Sequence, residues 1–408
     1  MAKQRSPQGA SGPQQARNTH VGFALLTGVL VVLAMTSNIP SPMYVLYEAR
    51  FHFRPDMTTV VFAVYATGAL MALLCLGRAS DHLGRRPVLA ATICGAAVSA
   101  LLFLSADGLV WLIVARIVAG VSVALAVTTA AAALSELIPS GDPQRAATIS
   151  GVASLCGFGL GPLYSGLVMD AAPAPMQSAY ALYLGLLLIA AVVLAFVPET
   201  VDAQDGTWAV RPTVTLPSRR REFWPAAAGA FSAFFLQGFF AALVPSLLVH
   251  ELHSRRHLLG GAMVFLLFAT AAVTQIATRS LTDRRALAAG LVAQPIGLAV
   301  LVPAIAAARL VVFVIGTLIC GAACGLAFRG AQGTVNRIAP PTQRAGVISA
   351  LWVAAYLGFS LPVVAVGIIS VHFGALHTVM GAACLFAIVG VGATAATRVA
   401  PAQSPRSR

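Results

Sequence analysis

Charge is scarce in this chain. Asp, Glu, Lys and Arg together make up 10% of its 408 residues, against about 25% in an average soluble domain. With 58% hydrophobic residues and a mean hydropathy of +0.85, it has too little polar surface to meet water on every side. A soluble globular protein is excluded, and lipid is the solvent that remains. The alternating segments of about 9–11 residues that build a membrane β-barrel are missing too. The apolar runs are long and unbroken, as in VGFALLTGVLVVLAM (Val21–Met35), VWLIVARIVAGVSVALAV (Val110–Val127) and YALYLGLLLIAAVVLAFV (Tyr180–Val197). Runs of this kind cross a bilayer only as helices, because a helix satisfies its own backbone. The fold class is therefore all-α integral membrane.

Other absences narrow the function. None of the 13 acidic residues falls in the middle of an apolar run. The nearest are Glu48 and Glu136, each at a run's end and each read as an interfacial residue. The six cysteines lie in or beside apolar runs without His at zinc spacing, so they read as reduced packing residues and no metal is expected. No Gly-rich nucleotide loop is present, which argues against an ATP-driven pump. The runs hold no His, Asp or Cys constellation fit for chemistry, so neither an enzyme nor a cofactor is expected. The first apolar run continues into NIPSPMYVLYEA without a small-residue cleavage pattern, and it reads as a first membrane helix.

What is present is organisation. Hydropathy predicts twelve spans: 20–47, 58–76, 88–106, 109–136, 146–170, 177–197, 223–249, 258–278, 286–306, 310–330, 346–370 and 377–397. With a cytoplasmic N-terminus, the cytoplasmic segments and adjoining helix ends hold 20 of the 26 basic residues. The outer loops hold five, Arg50, Arg54, Arg255, Arg256 and Arg309, and Arg116 lies inside a span. That split places both termini in the cytoplasm and assigns the net charge of +13 to topology rather than to nucleic acid. The expected units are a disordered tail (1–19), a six-helix half (20–197), a cytoplasmic linker (198–222), a second six-helix half (223–397) and a tail (398–408). The halves repeat: QRAATIS (Gln144–Ser150) recurs as QRAGVIS (Gln343–Ser349), and at the same offset of 199 Arg85 and Arg86 fall on Arg284 and Arg285. Duplicated halves around a central axis are the plan of a secondary transporter.

Three stretches carry a family resemblance. GRASDHLGRRP (Gly77–Pro87) lies between the second and third spans and holds Gly77, Asp81, Gly84, Arg85 and Arg86. Its glycines permit a tight turn, and Asp81 can pair with Arg85 or Arg78 or cap a helix. LIVARIVAGVSVA (Leu112–Ala124), on the fourth span, places Arg116 about 10 Å below the outer end. An arginine at that depth costs on the order of 3 kcal/mol and usually faces a watery cavity. GFGLGPLYSG (Gly157–Gly166), on the fifth span, combines Gly157, Gly161, Pro162 and Gly166, with small residues for close packing and a proline for a bend. In these stretches the chain resembles the major facilitator superfamily, in particular its twelve-helix drug:proton antiporters. The Pro-rich NIPSPMYVLY (Asn38–Tyr47) and VPET (Val197–Thr200) agree.

The resemblance implies that the Asp81 loop is a conformational switch latching the halves on the cytoplasmic side. It associates Arg116 with proton coupling or substrate charge, and the fifth-span pattern with exchange of substrate for protons. The proton gradient is then the energy source. Asn38, Tyr65, Gln237, Trp352 and Tyr356 are the expected cavity residues. One cation among aromatics, without a buried acid, suits a neutral or anionic amphipathic solute. Two functions follow: proton-coupled efflux of small hydrophobic or amphipathic compounds, or a sugar or organic-anion facilitator or symporter of the same fold. The partners are a small-molecule substrate and the bilayer, and a monomer suffices because two halves already enclose a cavity.

Overall fold

The computed structural model describes residues 13–138, 142–201, 214–250, 252 and 256–399. The expected tails, at 1–12 and 400–408, and most of the expected linker, at 202–213, lie outside the described residues.

The described residues are helical throughout, apart from turns and connecting loops. The first half comprises α1 (Pro13–Met35), α2 (Tyr44–Phe51), α3 (Pro55–Met71), α4 (Ala79–Leu83), α5 (Arg85–Leu104), α6 (Leu109–Leu137), α7 (Pro143–Ala171) and α8 (Pro175–Ala195). The second comprises α9 (Arg220–His250), α10 (His257–Ala277), α11 (Asp283–Ala306), α12 (Leu310–Ile338) and α13 (Arg344–Val399). Ten helices among the described residues are long and apolar enough to cross a membrane, and His20–Met35 and Val379–Ile388 are shorter apolar helices.

Boundaries differ from the hydropathy reading in three places. α1 already includes residues 13–19, which the hydropathy reading leaves in the tail. The first span is not one helix over 20–47. It stops at Met35, turns through residues 36–43 and resumes as α2, because Pro40 and Pro42 cannot donate the bonds a continuing helix needs. The last two spans form one long element that breaks at Gly374, whose φ of 77° suits glycine.

Large apolar side chains such as Leu188, Phe196, Val311 and Ile388 face outward, 68–73% exposed. Exposure on this scale marks a lipid-facing surface. Inward faces carry small residues. A methyl group added to Gly68 would lie 2.2 Å from Ile117 O, and one on Gly120 would lie 2.2 Å from Tyr65 O. α3 and α6 therefore meet backbone to backbone, which brings Arg116 beneath the aromatic side chains of α3.

The halves join along two seams, α7 against α10 and α3 against α13. The fifth-span glycines divide between two partners. Methyls at Gly157 and Gly161 would strike Val31 O and Met35 O of α1, within the same half. Gly166 instead faces His257 and Leu258 of α10, and Pro162 O lies where Gly261 of α10 leaves room. One end of the bundle carries the linker between the halves, and the opposite end is termed distal below.

Candidate functional site

At the linker end the GRASDHLGRRP loop closes on itself. Gly84 takes φ 92°, which turns the chain from α4 directly into α5. Arg85 is 9% exposed and gathers three acceptors. Its Nη1 donates to Asp81 Oδ1 at 2.6 Å and to Ser80 Oγ at 2.7 Å. Its Nη2 and Nε donate to the two oxygens of Glu136, at 2.9 and 3.4 Å. The Thr200 hydroxyl also donates to Glu136.

Glu199 completes the cluster from the end of the sixth span. Its carboxylate accepts the backbone N–H groups of Arg85 and Arg86 at 2.8 and 2.9 Å. It thereby caps the first turn of α5, whose donors have no partner within the helix. Burial pushes the Glu199 carboxyl upward, but the N–H groups of Arg86, Arg85, Thr200 and Val201 more than offset it, so its pKa lies below the ordinary carboxylate range. Among the described residues, every hydrogen bond of Arg85 goes to the first half or to Glu199, just past its last helix. Sequence reasoning placed Asp81 and Arg85 here but assigned Glu136 to the interface and Glu199 to a family ending. The signal available was that both acids lie at or just past the linker-side ends of predicted spans.

The second half braces the matching loop with opposite polarity. Arg329 of α12 donates to Arg279 O and Leu281 O at 3.1 and 2.8 Å. A side chain from the tenth span thus holds the loop before α11, as Glu136 of the fourth span holds the loop before α5.

Two turns into α6, Arg116 is fully buried. Its Nη1 donates to Ser37 O at 2.5 Å and its Nη2 to Phe62 O at 3.2 Å. Ser37 O is available because Ser41, four residues on, gives its N–H to Asn38 O and Pro40, three residues on, has none to give. The break in the first span therefore creates the acceptor. The guanidinium lies 4.9 Å from the Phe62 ring centre and 4.6 Å from that of Tyr65, where the ring faces favour a cation. Its Nε is buried without a partner. Carbonyls and rings, with no carboxylate in ion-pair contact among the described residues, hold this cation. It is not an arginine reaching for the interface.

The rings above Arg116 belong to a bridge between the halves. Phe62 stacks on Phe359 of α13 at 4.9 Å, and Tyr65 lies 5.8 Å from the same ring. Tyr356 and Phe234 continue from Phe359, at 6.4 Å each, to Trp352, which packs on Phe234 at 5.7 Å. Of the expected cavity residues, Tyr65, Trp352 and Tyr356 are thus brought together, with Tyr65 and Tyr356 buried. Asn38 is buried elsewhere and donates to Phe158 O of α7 at 3.0 Å, and Gln237 is buried on α9. Sequence reasoning missed Phe62 and Phe359. Their spacing on the second and eleventh spans, Phe62 with Tyr65 and Phe359 with Tyr356 and Trp352, is the helical signal that marks them.

Comparison with known proteins agrees with this architecture. The family model described as Major Facilitator Superfamily matches residues 26–361. The chain is 34% identical over 111 residues to the tetracycline resistance protein, class H, of Pasteurella multocida, covering 27% of this chain and 28% of that protein. It is 34% identical over 150 residues to the class G protein of Vibrio anguillarum, covering 36% and 37%. These matches span only about a quarter to a third of the relatives' length. In three dimensions the chain resembles the crystal structure of the human organic anion transporter MFSD10 (TETRAN), with a TM-score of 0.63 at 17% identity. That likeness covers 94% of this chain and 100% of that one.

Proposed function

The chain belongs to the Major Facilitator Superfamily, and we propose that this multi-pass membrane transporter exports small amphipathic compounds in exchange for protons. The observation that carries the substrate class is Arg116, a buried cation with no acid beside it among the described residues, roofed by rings that bridge the halves. A cation so placed is costly unless a ligand or water reaches it in another state of the cycle. When the halves rock apart at the α3–α13 seam, the contact of Phe62 and Tyr65 with Phe359 breaks. Arg116 is then uncovered beside aromatic surface. That surface suits an apolar body with a neutral or anionic polar end, and repels a lipophilic cation.

Export by proton exchange draws support from the fifth-span pattern and from the partial likeness to tetracycline resistance proteins. The cluster of Asp81, Arg85, Glu136 and Glu199 serves as the conformational switch at the cytoplasmic face, with both chain termini on that side. Among the described residues its bonds reach the first half and the start of the linker but not the second half, as suits a bundle shut at the distal, outer end. A second reading, an organic-anion facilitator, is favoured by the absence, among the described residues, of an acid beside Arg116. Reconstituted vesicles separate the two. Substrate-dependent proton movement is expected for exchange, and flux that follows the substrate gradient alone, without a pH change, overturns it.

A further inference from the structure

We infer that Asp170 is a positioning residue for the transport cycle: it caps α10 across the boundary between the halves and latches the distal end shut. The first N–H groups of a helix have no partner inside it. α10 receives no side-chain cap from its own preceding residue, Arg256. The cap comes from the other half. Asp170, in the last turn of α7, accepts the His257 N–H on Oδ1 at 2.9 Å and the Leu258 N–H on Oδ2 at 3.0 Å. His257 Nδ1 lies 3.1 Å from the same Oδ1. A carboxylate at a helix N-terminus also meets the positive end of the helix dipole.

The place of this contact gives it leverage. One turn before Asp170, a methyl on Gly166 would lie 2.9 Å from His257 O, and further in, Pro162 O occupies the space left by Gly261. Further in, the rings of Phe158 and Phe268 meet across the seam at 5.9 Å, an apolar contact that has no fixed direction. The polar tie at the distal end is the directional contact that the closed arrangement has and the open one lacks. Two of its three bonds go to backbone N–H groups, so the latch resides in Asp170 and the imidazole adds to it.

This inference rests on alternating access, and not on the direction of transport or on proton coupling. The test measures shape without substrate. Nitroxide labels on Ala174→Cys and Arg309→Cys, introduced after replacing the native cysteines, report the distal separation of the halves in reconstituted full-length protein. Asp170→Ala is expected to raise the ratio of distally open to closed molecules about five- to tenfold, the scale of a lost helix cap. Asp170→Asn, which keeps one accepting oxygen, is expected to raise it less, and His257→Ala least. Asp170→Glu should restore part of the closed population. If Asp170→Ala cannot be recovered folded, Asp170→Asn alone decides. An unchanged distance distribution in the recovered Asp170 variant, or a larger effect from His257→Ala than from that variant, overturns the latch. A wild type that shows a single distal separation under every condition would instead count against alternating access itself.

Discussion

Arg116 and Glu199 show how differently one charge can be held. Arg116 has carbonyls and ring faces around it, so its replacement tests a ligand role more than an ion pair. Arg116→Ala is expected to weaken transport of a carboxylate-bearing amphipath about tenfold or more, and that of a neutral analogue much less, in a vesicle flux assay. Equal losses for both would place the arginine in the fold rather than in recognition. Glu199 is tied to four backbone N–H groups. Its folded pKa lies below its unfolded one, which is about 4.3. The stability it adds is fully present above that unfolded value and is lost as pH falls through the still lower folded one. Thermal unfolding of the detergent-solubilised protein should therefore show wild type losing more of its melting temperature than Glu199→Gln when pH drops from about 6 to below 4. Equal losses would mean that the cap contributes nothing. Asp81 is half-exposed yet bonded to Arg85. Asp81→Asn is expected to slow turnover for every substrate alike, because a switch acts on the cycle and not on recognition. Normal transport by that variant would remove the switch.

At the scale of elements, the α3–α13 seam is where packing becomes gating. Phe359 is 5% exposed and joins Phe62 and Tyr65 of the other half. Phe359→Ala removes a ring whose burial is typically worth about 3–5 kcal/mol and opens a path to Arg116. The expected result is a proton leak through vesicles without substrate, read with a luminal pH dye. A tight vesicle would show that the seal lies elsewhere. The helices themselves were legible in the sequence, since long apolar runs in lipid have no alternative. The break in the first span was less so: hydropathy averages the short TSNIPSPM turn at 36–43 together with the apolar residues on either side of it. The site divides in the same way. Asp81, Arg85 and Arg116 stand out as charges in an apolar chain. Phe62 and Phe359 do not, because a phenylalanine facing lipid and one bridging the halves look the same until both halves are placed. Asp170 and His257, 87 residues apart, carry no local pattern at all.

For the whole molecule, two related halves meet along one seam of close backbone approach, α7 against α10, and one bridged by rings, α3 against α13, and each half has its own brace at the linker end. Gly261 lies where Pro162 O leaves no room for a side chain. Such a pair of surfaces can part and rejoin without unthreading interlocked groups, as rocking between two states requires. The reading as an exporter stands on joining that motion to proton movement. The most direct test is reconstitution into vesicles holding an acidic lumen and a pH dye, with a fluorescent amphipathic carboxylate added outside. Proton exchange predicts that the lumen turns alkaline as the compound enters, that the rate follows the imposed pH gradient, and that Arg116→Ala blunts both. Uptake that proceeds at the same rate without a pH gradient, and leaves the luminal pH unchanged, would contradict it.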